Sequence, residues 1–218
     1  MDVPAGPGGR AGEPEAVPRG EAGREERTVL DSPRRAAGAQ GPVPWRYVFR
    51  GSPVAASLAT AFGVGLLPGP AGTWGSLATV IAAELLFSAR GTGPVLLLAA
   101  AATLAGPWAA GRTAGARGER DPNEVVIDEV AGQSIALCGL HLAFPALGAG
   151  GLDVPYAAAL LVAFGLFRLL DIFKPGPVGA LERLPGGVGI MADDLLAGLL
   201  AGVVFPLAAL AGIGRLLP

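Results

Sequence analysis

The sequence contains one cysteine, Cys138, and one histidine, His141. A single cysteine excludes an internal disulfide and any cysteine-based metal cluster. His141 lies about three turns into a predicted apolar helix, where packing or interhelical hydrogen bonding is its more common role, so we expect no nucleophilic histidine. Charged residues make up only 16% of the chain. Because the arginines are spread among acids and form no basic patch, we expect no nucleic-acid partner.

Hydrophobic residues, by contrast, make up 51% of the chain, and the mean hydropathy is +0.52. This composition indicates an integral membrane protein. Residues 1–44 differ from the rest, because they are mostly Gly, Pro, Ala, Glu and Arg and lack the large apolar side chains needed for a core. We predict a disordered tail over 1–44 and a membrane domain over 45–218, opened by an interfacial belt of Trp45, Tyr47 and Phe49.

The apolar runs of this domain predict helices. Pro53–Leu67 is shorter than the roughly 20 residues that a span requires, so we expect a re-entrant or surface helix there. Longer runs follow at a segment ending near Phe87, and then at Pro94–Gly111, Val125–Leu147, Val154–Phe173 and Leu195–Ile213. The predicted fold is all-α, a polytopic membrane bundle of about five hydrophobic helices, the first of them short, with short connections. No periodic small-x-x-x-small seam is evident, so the oligomeric state is unknown.

Polar motifs alternate between the starts and ends of successive helices. A Gly/Pro-rich loop precedes the first, Arg112 follows the second, acids open the third, Asp171 and Lys174 close the fourth, and acids open the fifth. In an up-down bundle this alternation places every motif on one membrane face. That face also carries most of the Arg and Lys residues, so the positive-inside rule makes it cytoplasmic.

Acidic residues form three groups on that face. Asp128 and Glu129 lie between apolar residues, Asp171 lies near the end of the fourth helix, and Asp193 and Asp194 follow a glycine-rich turn at the start of the fifth. Capping of a helix start explains one aspartate, and a second beside a membrane helix favours a cation site or a proton relay. The nearby Asp121 and Glu124 are better explained as a solvated helix start matched by Arg117 and Arg120.

A group of carboxylates with no Cys or His among them offers only hard oxygen ligands. Such a group is typical of a Mg²⁺ site, in which water and a substrate phosphate complete the coordination shell. Arg168, Asp171 and Lys174 are three residues apart, which predicts a salt-bridge ladder along one side of a helix. Thr73 is a plausible N-cap, and with Ser76 and the free N–H groups of that helix start it forms a predicted anion-binding element. The loop lacks the Gly-Lys-Ser/Thr ending of a P-loop.

Five blocks then carry a resemblance to a known family: Gly65–Pro68, Gly72–Leu77, Val126–Gln133, Phe167–Pro175 and Gly186–Gly198. In this order they resemble the phosphatidylglycerophosphatase A family over about residues 55–205. The resemblance implies a Mg²⁺-dependent, all-helical lipid phosphatase of the bacterial inner membrane. Such an enzyme converts the phospholipid phosphatidylglycerophosphate to phosphatidylglycerol and inorganic phosphate, with its active site at the cytoplasmic face.

The resulting hypothesis assigns metal binding and catalysis to the carboxylates Asp128, Glu129, Asp171, Asp193 and Asp194. Lys174 joins them as a catalytic residue, and substrate contacts fall to Lys174, Arg168, Thr73 and Ser76. Activation of water and a covalent aspartyl-phosphate both remain open. The alternative is an intramembrane cation or proton transporter, which predicts acids spread through the membrane depth.

Overall fold

The computed structural model describes Met1 and residues 41–149, 155–181 and 183–214. Within these ranges the chain is helical and contains no strand, which confirms the all-α prediction. The elements are α1 (Trp45–Gly51), α2 (Pro53–Ala59), a 3₁₀ turn (Val64–Leu66), α3 (Ala71–Arg90), α4 (Thr92–Arg117), α5 (Ile127–Ala149), α6 (Tyr156–Phe173), α7 (Pro177–Leu181) and α8 (Gly186–Gly214). The predicted tail over 1–44 lies outside the described residues except at its two ends and stays a prediction.

Five of the described helices are long and apolar enough to cross a membrane: α3, α4, α5 as far as Leu147, α6, and α8 as far as Ala208. This confirms the predicted number of hydrophobic helices. The first is not short, because α3 runs for 20 residues from Ala71 to Arg90. On α6, Leu161, Val162 and Leu169 are exposed by half or more, which is the surface expected to contact acyl chains.

The segment before α3 does not span. α2 has seven residues and is therefore about 10 Å long, since each helical residue rises by 1.5 Å. Ala61, Phe62 and Gly63 follow with positive φ values of 46°, 57° and 97°, and these turn the chain away from the helix. The expectation of a short helix that does not cross the membrane agrees with this geometry.

The two most extensively packed helices, α5 and α8, touch backbone to backbone. A Cβ on Gly132 would meet the carbonyl oxygen of Asp194, and Cβ atoms on Gly198 and Gly139 would meet the carbonyl oxygens of Gly132 and Gly202. Close approach through small residues is how membrane helices gain van der Waals contact. Our statement that the sequence holds no small-residue seam was wrong, because Gly198 and Gly202 are four residues apart on one face of α8.

Trp45 belongs to a polar network that joins the start of α1 to the α4–α5 connection. Its indole Nε1 donates to Glu124 Oε1 over 2.9 Å, and the Arg117 guanidinium lies 3.3 Å from the same oxygen. Arg117 also donates to the backbone oxygen of Val43 over 2.8 Å. The pairing of Glu124 with Arg117 was predicted, but α5 begins only at Ile127, so Asp121 and Glu124 precede the helix and do not share one of its faces.

A second polar cluster lies toward the opposite end of the bundle. His141 Nε2 is 2.9 Å from Glu84 Oε1, and the Tyr156 hydroxyl donates to Glu84 Oε2 over 2.7 Å. The ring of Phe87 stacks on His141 with centroids 3.9 Å apart. His141 therefore has the interhelical hydrogen-bonding role that was predicted, and it connects α5 to α3.

Candidate active site

One cavity of about 760 Å³ collects the predicted acids. It opens where α3, α5 and α8 begin and α4 and α6 end, and we call this the site end of the bundle. Its lining includes five carboxylates, which we call the acidic cluster: Asp128, Glu129, Asp171, Asp193 and Asp194. The alternation of polar motifs thus placed these residues correctly at one end.

Asp193 and Asp194 do not lie at a helix start, and this corrects the predicted arrangement. Residues 186–189 are the first turn of α8, so Asp193 is its eighth residue and lies about 10 Å along the helix axis. α4 packs closely against this turn, because a Cβ on Gly187 would meet the carbonyl oxygen of Pro107. Both aspartates are buried, with 4% and 3% of their surface exposed, and capping of the helix start explains neither.

The first turn of α5 supplies Asp128 and Glu129. Its start is fixed by the backbone N–H of Val126, which donates to the carbonyl oxygen of Ala59 in α2 over 2.8 Å. Asp128 Oδ1 accepts the backbone N–H of Glu129 over 3.0 Å. Carboxylate oxygens of Asp128, Glu129 and Asp194 all lie within 4.8 Å of one another. Three negative charges at this distance repel strongly unless a cation or protons neutralise them.

Arg168 and Lys174 bring positive charge to the acidic cluster from the end of α6. The Arg168 guanidinium pairs with Asp171 one turn along the helix, lies 3.9 Å from Glu129 Oε1, and donates to Ser76 Oγ over 3.5 Å. Lys174 adopts a left-handed conformation with φ 45° that ends α6. Its Nζ reaches Asp193 Oδ2 over 2.6 Å. The predicted ladder therefore holds for Arg168 and Asp171, whereas Lys174 turns toward α8.

The Gly/Pro-rich loop contributes differently from what we predicted. The helix begins at Ala71 with Pro70 as the N-cap residue, so Thr73 lies inside α3 and is not the N-cap. Thr73 does not line the cavity, whereas Pro70, Ala71 and Gly72 do. A Cβ on Gly72 would meet Glu129 Oε1 and the Arg168 guanidinium. The glycine therefore leaves room for these two side chains, and Ser76 is fully buried beneath them as a partner of Arg168.

Several buried polar atoms of the cavity have no hydrogen-bond partner among the described residues. They are Glu129 Oε2, Asp193 Oδ1 and Arg168 Nε. Burying a charged group without a partner costs several kcal/mol (roughly 2–7 for a polar group, more for a charge). Two of these atoms are carboxylate oxygens, which accept but do not donate while ionised. These carboxylate oxygens are thus suited to bind a hard cation as its ligands.

Four further polar or charged residues line the cavity and were not among the predicted site residues: Arg120, Asp121, Asn123 and Arg183. Arg120, Asp121 and Asn123 lie in the α4–α5 connection and Arg183 lies in the connection before α8. We had predicted Arg120 as a match for Asp121 and Glu124, and both arginines as part of the positive charge of the cytoplasmic face. Their positions beside acid-bearing helix starts were a usable signal, because short connections at the site end must border the same cavity.

Fold and site together define a polytopic helical membrane protein with an acidic, cation-compensated cavity at one end of the bundle. Comparison with known sequences gives the family. A sequence model of the phosphatidylglycerophosphatase A family matches residues 57–209. The chain belongs to this family and is a phosphatase, as the resemblance implied.

Individual relatives agree with the family assignment. The chain is 38% identical over 148 residues to a phosphatidylglycerophosphatase A of Haemophilus influenzae, covering 67% of this chain and 83% of the relative. It is 35% identical over 153 residues to one of Escherichia coli, covering 68% and 80%. A putative phosphatidylinositol-3-phosphatase of Bacteroides thetaiotaomicron is 37% identical over 155 residues, covering 69% and 91%. No solved structure matches the chain significantly.

Proposed function

We propose that this protein hydrolyses phosphatidylglycerophosphate to phosphatidylglycerol and inorganic phosphate at a membrane surface. The observation that carries the proposal is the acidic cluster, which three spanning helices of a phosphatidylglycerophosphatase A family member bring into one cavity beside Arg168 and Lys174. A cavity at the end of spanning helices lies where a lipid headgroup lies, so its substrate is a headgroup and not a solute crossing the bilayer.

We further propose that the reaction requires Mg²⁺. The residues fit this ion, since oxygens of Asp128, Glu129 and Asp194 lie within 4.8 Å of one another and two oxygens of the acidic cluster have no partner among the described residues. Asp128, Glu129 and Asp194 would hold it, with Asp171 and Asp193 beside them. When bound, Mg²⁺ supplies neutralisation of phosphoryl charge and polarises water or a phosphate oxygen.

The protein's own cations complete the proposed mechanism. Lys174 Nζ lies 2.6 Å from Asp193. It and the Arg168 guanidinium are placed to donate hydrogen bonds to phosphoryl oxygens of the substrate monoester. Electrostatic stabilisation and positioning provide most of the acceleration of phosphoryl transfer. One carboxylate of the acidic cluster either accepts a proton from the attacking water or attacks phosphorus itself, and the geometry is compatible with both routes.

The transporter alternative fits the arrangement less well. It predicts acids spread through the membrane depth, whereas the acidic cluster lies at one end of the spanning helices. Glu84 lies deeper, but its carboxylate is bound to His141 and Tyr156. No chain of carboxylates joins Glu84 to the acidic cluster among the described residues, so a continuous proton or cation path has no structural support there.

We also propose that the site end faces the cytoplasm and that the membrane is the bacterial inner membrane. Arg112, Arg117, Arg120, Lys174 and Arg183 all belong to the site end, whereas Arg90 lies at the opposite end of α3. An excess of Arg and Lys in short connections marks the cytoplasmic side. The bacterial origin of the matched relatives supports the same compartment.

A phosphate-release assay tests the proposed function. Purified protein in detergent is given phosphatidylglycerophosphate, with Mg²⁺ in one arm and EDTA in the other, and phosphatidylinositol 3-phosphate is tested in parallel. We expect Mg²⁺-dependent phosphate release from phosphatidylglycerophosphate. Ion flux through liposomes that contain the protein, together with no phosphate release from either lipid, would refute the phosphatase proposal and support the transporter.

A further inference from the structure

Two arginines, Arg120 and Arg183, line the cavity from connections outside the spanning helices. Both residues are exposed, and the chemistry proposed above uses neither. They approach the cavity from different directions, Arg120 through the α4–α5 connection and Arg183 through the connection between α7 and α8. The cavity therefore has cationic side chains at its rim as well as in its interior.

The interior cations differ from the rim arginines in their surroundings. The Arg168 side chain is 14% exposed and pairs with Asp171, and the Lys174 side chain is 30% exposed and pairs with Asp193. Both thus face carboxylates of the acidic cluster, next to which a phosphomonoester would bind. A substrate with a second phosphate needs positive charge farther out, because the five acids of the cluster repel it.

The rim also carries apolar side chains. Ile172 and Leu184 line the cavity and are 61% and 39% exposed. Ile172 belongs to the last turn of α6, a helix whose outer surface exposes Leu161, Val162 and Leu169. Ile172 thus brings an apolar side chain of α6 to the cavity that Arg183 also lines. This combination of arginine and apolar residues suits the junction between a lipid headgroup and its acyl chains.

We propose that Arg120 and Arg183 form a second anion subsite, which holds the diester phosphate of the lipid while the monoester phosphate lies at the acidic cluster. The proposal rests on the proposed function. Phosphatidylglycerophosphate carries both groups, and its diester stays at headgroup level because it is bonded to the diacylglycerol. The planar guanidinium forms paired hydrogen bonds with phosphate oxygens, which an ammonium group does not match.

The subsite defines a substrate class: lipids whose phosphomonoester is carried by a polyol that is itself linked through a phosphodiester. Phosphatidylinositol 3-phosphate belongs to this class, whereas phosphatidate lacks the diester. Phosphatidylglycerol, the product, keeps the diester and lacks the monoester. Inorganic phosphate resembles only the monoester. The last two compounds therefore probe the two halves of the cavity separately.

The experiment compares R183Q, R120Q and the double variant with the unsubstituted full chain. Kinetics use dioctanoyl phosphatidylglycerophosphate, and calorimetric titrations use dioctanoyl phosphatidylglycerol and inorganic phosphate as separate ligands. Loss of one charge-assisted hydrogen-bonding group lowers affinity by about tenfold or more. We expect each single variant to raise KM for the substrate and Kd for phosphatidylglycerol about tenfold, while kcat and the Kd for inorganic phosphate change less than twofold.

R112Q is the matched control, because Arg112 is at the site end, donates to Ser52 Oγ over 3.1 Å and does not line the cavity. We expect R112Q to behave as the unsubstituted chain. Unchanged KM and unchanged phosphatidylglycerol binding in R183Q and R120Q would overturn the subsite, and so would equal effects in R112Q. Failure of the proposed function looks different, because the unsubstituted chain would then release no phosphate, while the titrations would still measure the subsite.

Discussion

Lys174 Nζ lies 2.6 Å from Asp193 Oδ2 and so joins the last residues of α6 to the eighth residue of α8. Asp193 is 5% exposed at its side chain, whereas Lys174 is 30% exposed. The lysine is held in a left-handed conformation, which directs its side chain across to the neighbouring helix. This pair fixes where positive charge meets the acidic cluster.

K174Q should lower kcat for phosphatidylglycerophosphate by about 10²- to 10³-fold, the usual effect of removing one preorganised donor from a developing negative charge. D128N, D171N and D193N should each abolish phosphate release while the protein still inserts into membranes. Phosphate release and membrane fractionation measure the two properties. R112Q serves as the control for loss of one charge at the site end. Near-normal turnover in all three asparagine variants would contradict the assigned roles.

D194N separates stability from function. The side chain of Asp194 is buried and its oxygens lie within 4.8 Å of oxygens from Asp128 and Glu129, so removal of one charge reduces repulsion in the metal-free protein. In EDTA we expect the thermal midpoint of D194N to exceed that of the unsubstituted chain. A gain of 1 kcal/mol in unfolding free energy corresponds to about 2–4 °C at this chain length. Activity should nevertheless be lost.

A lower midpoint for D194N in EDTA would show that Asp194 stabilises the metal-free fold through contacts other than a bound cation.

E84Q is a useful comparison, because Glu84 is acidic but hydrogen-bonded to His141 and Tyr156. We expect E84Q to destabilise the protein, because an amide has one acceptor oxygen, whereas Glu84 contacts His141 and Tyr156 through its two oxygens.

Mg²⁺ should stabilise the unsubstituted protein by mass action. At a free concentration of 100 times Kd the gain in unfolding free energy is about 2.7 kcal/mol. Thermal unfolding across a Mg²⁺ titration measures it, and Ca²⁺, which prefers more ligands and longer bonds, is the comparison ion. D194N should show a much smaller shift. Equal shifts in D194N and in the unsubstituted chain would place the ion elsewhere.

G72A tests the space between α3 and the acidic cluster. A Cβ at this position would meet Glu129 Oε1 and the Arg168 guanidinium, so both side chains must move. Because a displacement of about 1 Å in a catalytic site costs on the order of 10²-fold in rate, we expect kcat to fall by at least tenfold. G115A is the matched control, since nothing lies within 4 Å of its Cβ. It should keep full activity and gain up to about 1 kcal/mol in helix stability.

G139A and G165A test the contact between α5 and α8. A Cβ on Gly139 would meet the backbone of Gly202, which cannot rotate away, whereas a Cβ on Gly165 in α6 meets nothing within 4 Å. Overpacking of this kind costs about 1–3 kcal/mol, so G139A should lower the thermal midpoint and G165A should not. Equal midpoints for the two variants would mean that α5 and α8 are farther apart than described.

The sequence was sufficient for the number of spanning helices and for the convergence of the acids. Runs of apolar residues identify spans directly, and the alternation of helix starts and ends determines which end each motif occupies. Asp128, Asp171 and Asp193 thus meet at the site end as predicted. No pairwise distance was needed for that inference, because the bilayer restricts each helix to one of two directions.

Helix boundaries were the weaker part of the prediction. Residues 186–189 have the composition of a turn, but they form the first turn of α8, and α4 packs so closely against Gly187 that a side chain does not fit there. Thr73 lies inside α3 because the helix begins two residues earlier, at Ala71. The four-residue spacing of Gly198 and Gly202 was visible in the sequence, but only the structure shows that α5 packs on it. Lys174 is itself the left-handed residue that follows α6. The three-residue spacing of Arg168, Asp171 and Lys174 could not indicate this conformation, and so it could not predict where the lysine side chain points.

The glycine seam between α5 and α8 has a genetic consequence. At Gly132, Gly139 and Gly198 the space beyond the Cα atom is filled by main-chain atoms of the facing helix. Every missense change of a glycine codon introduces a Cβ, so we expect no missense change at these three codons to be harmless. Random mutagenesis with selection for function should therefore recover only synonymous changes at these three codons, whereas the codon for Gly165 should tolerate alanine and serine.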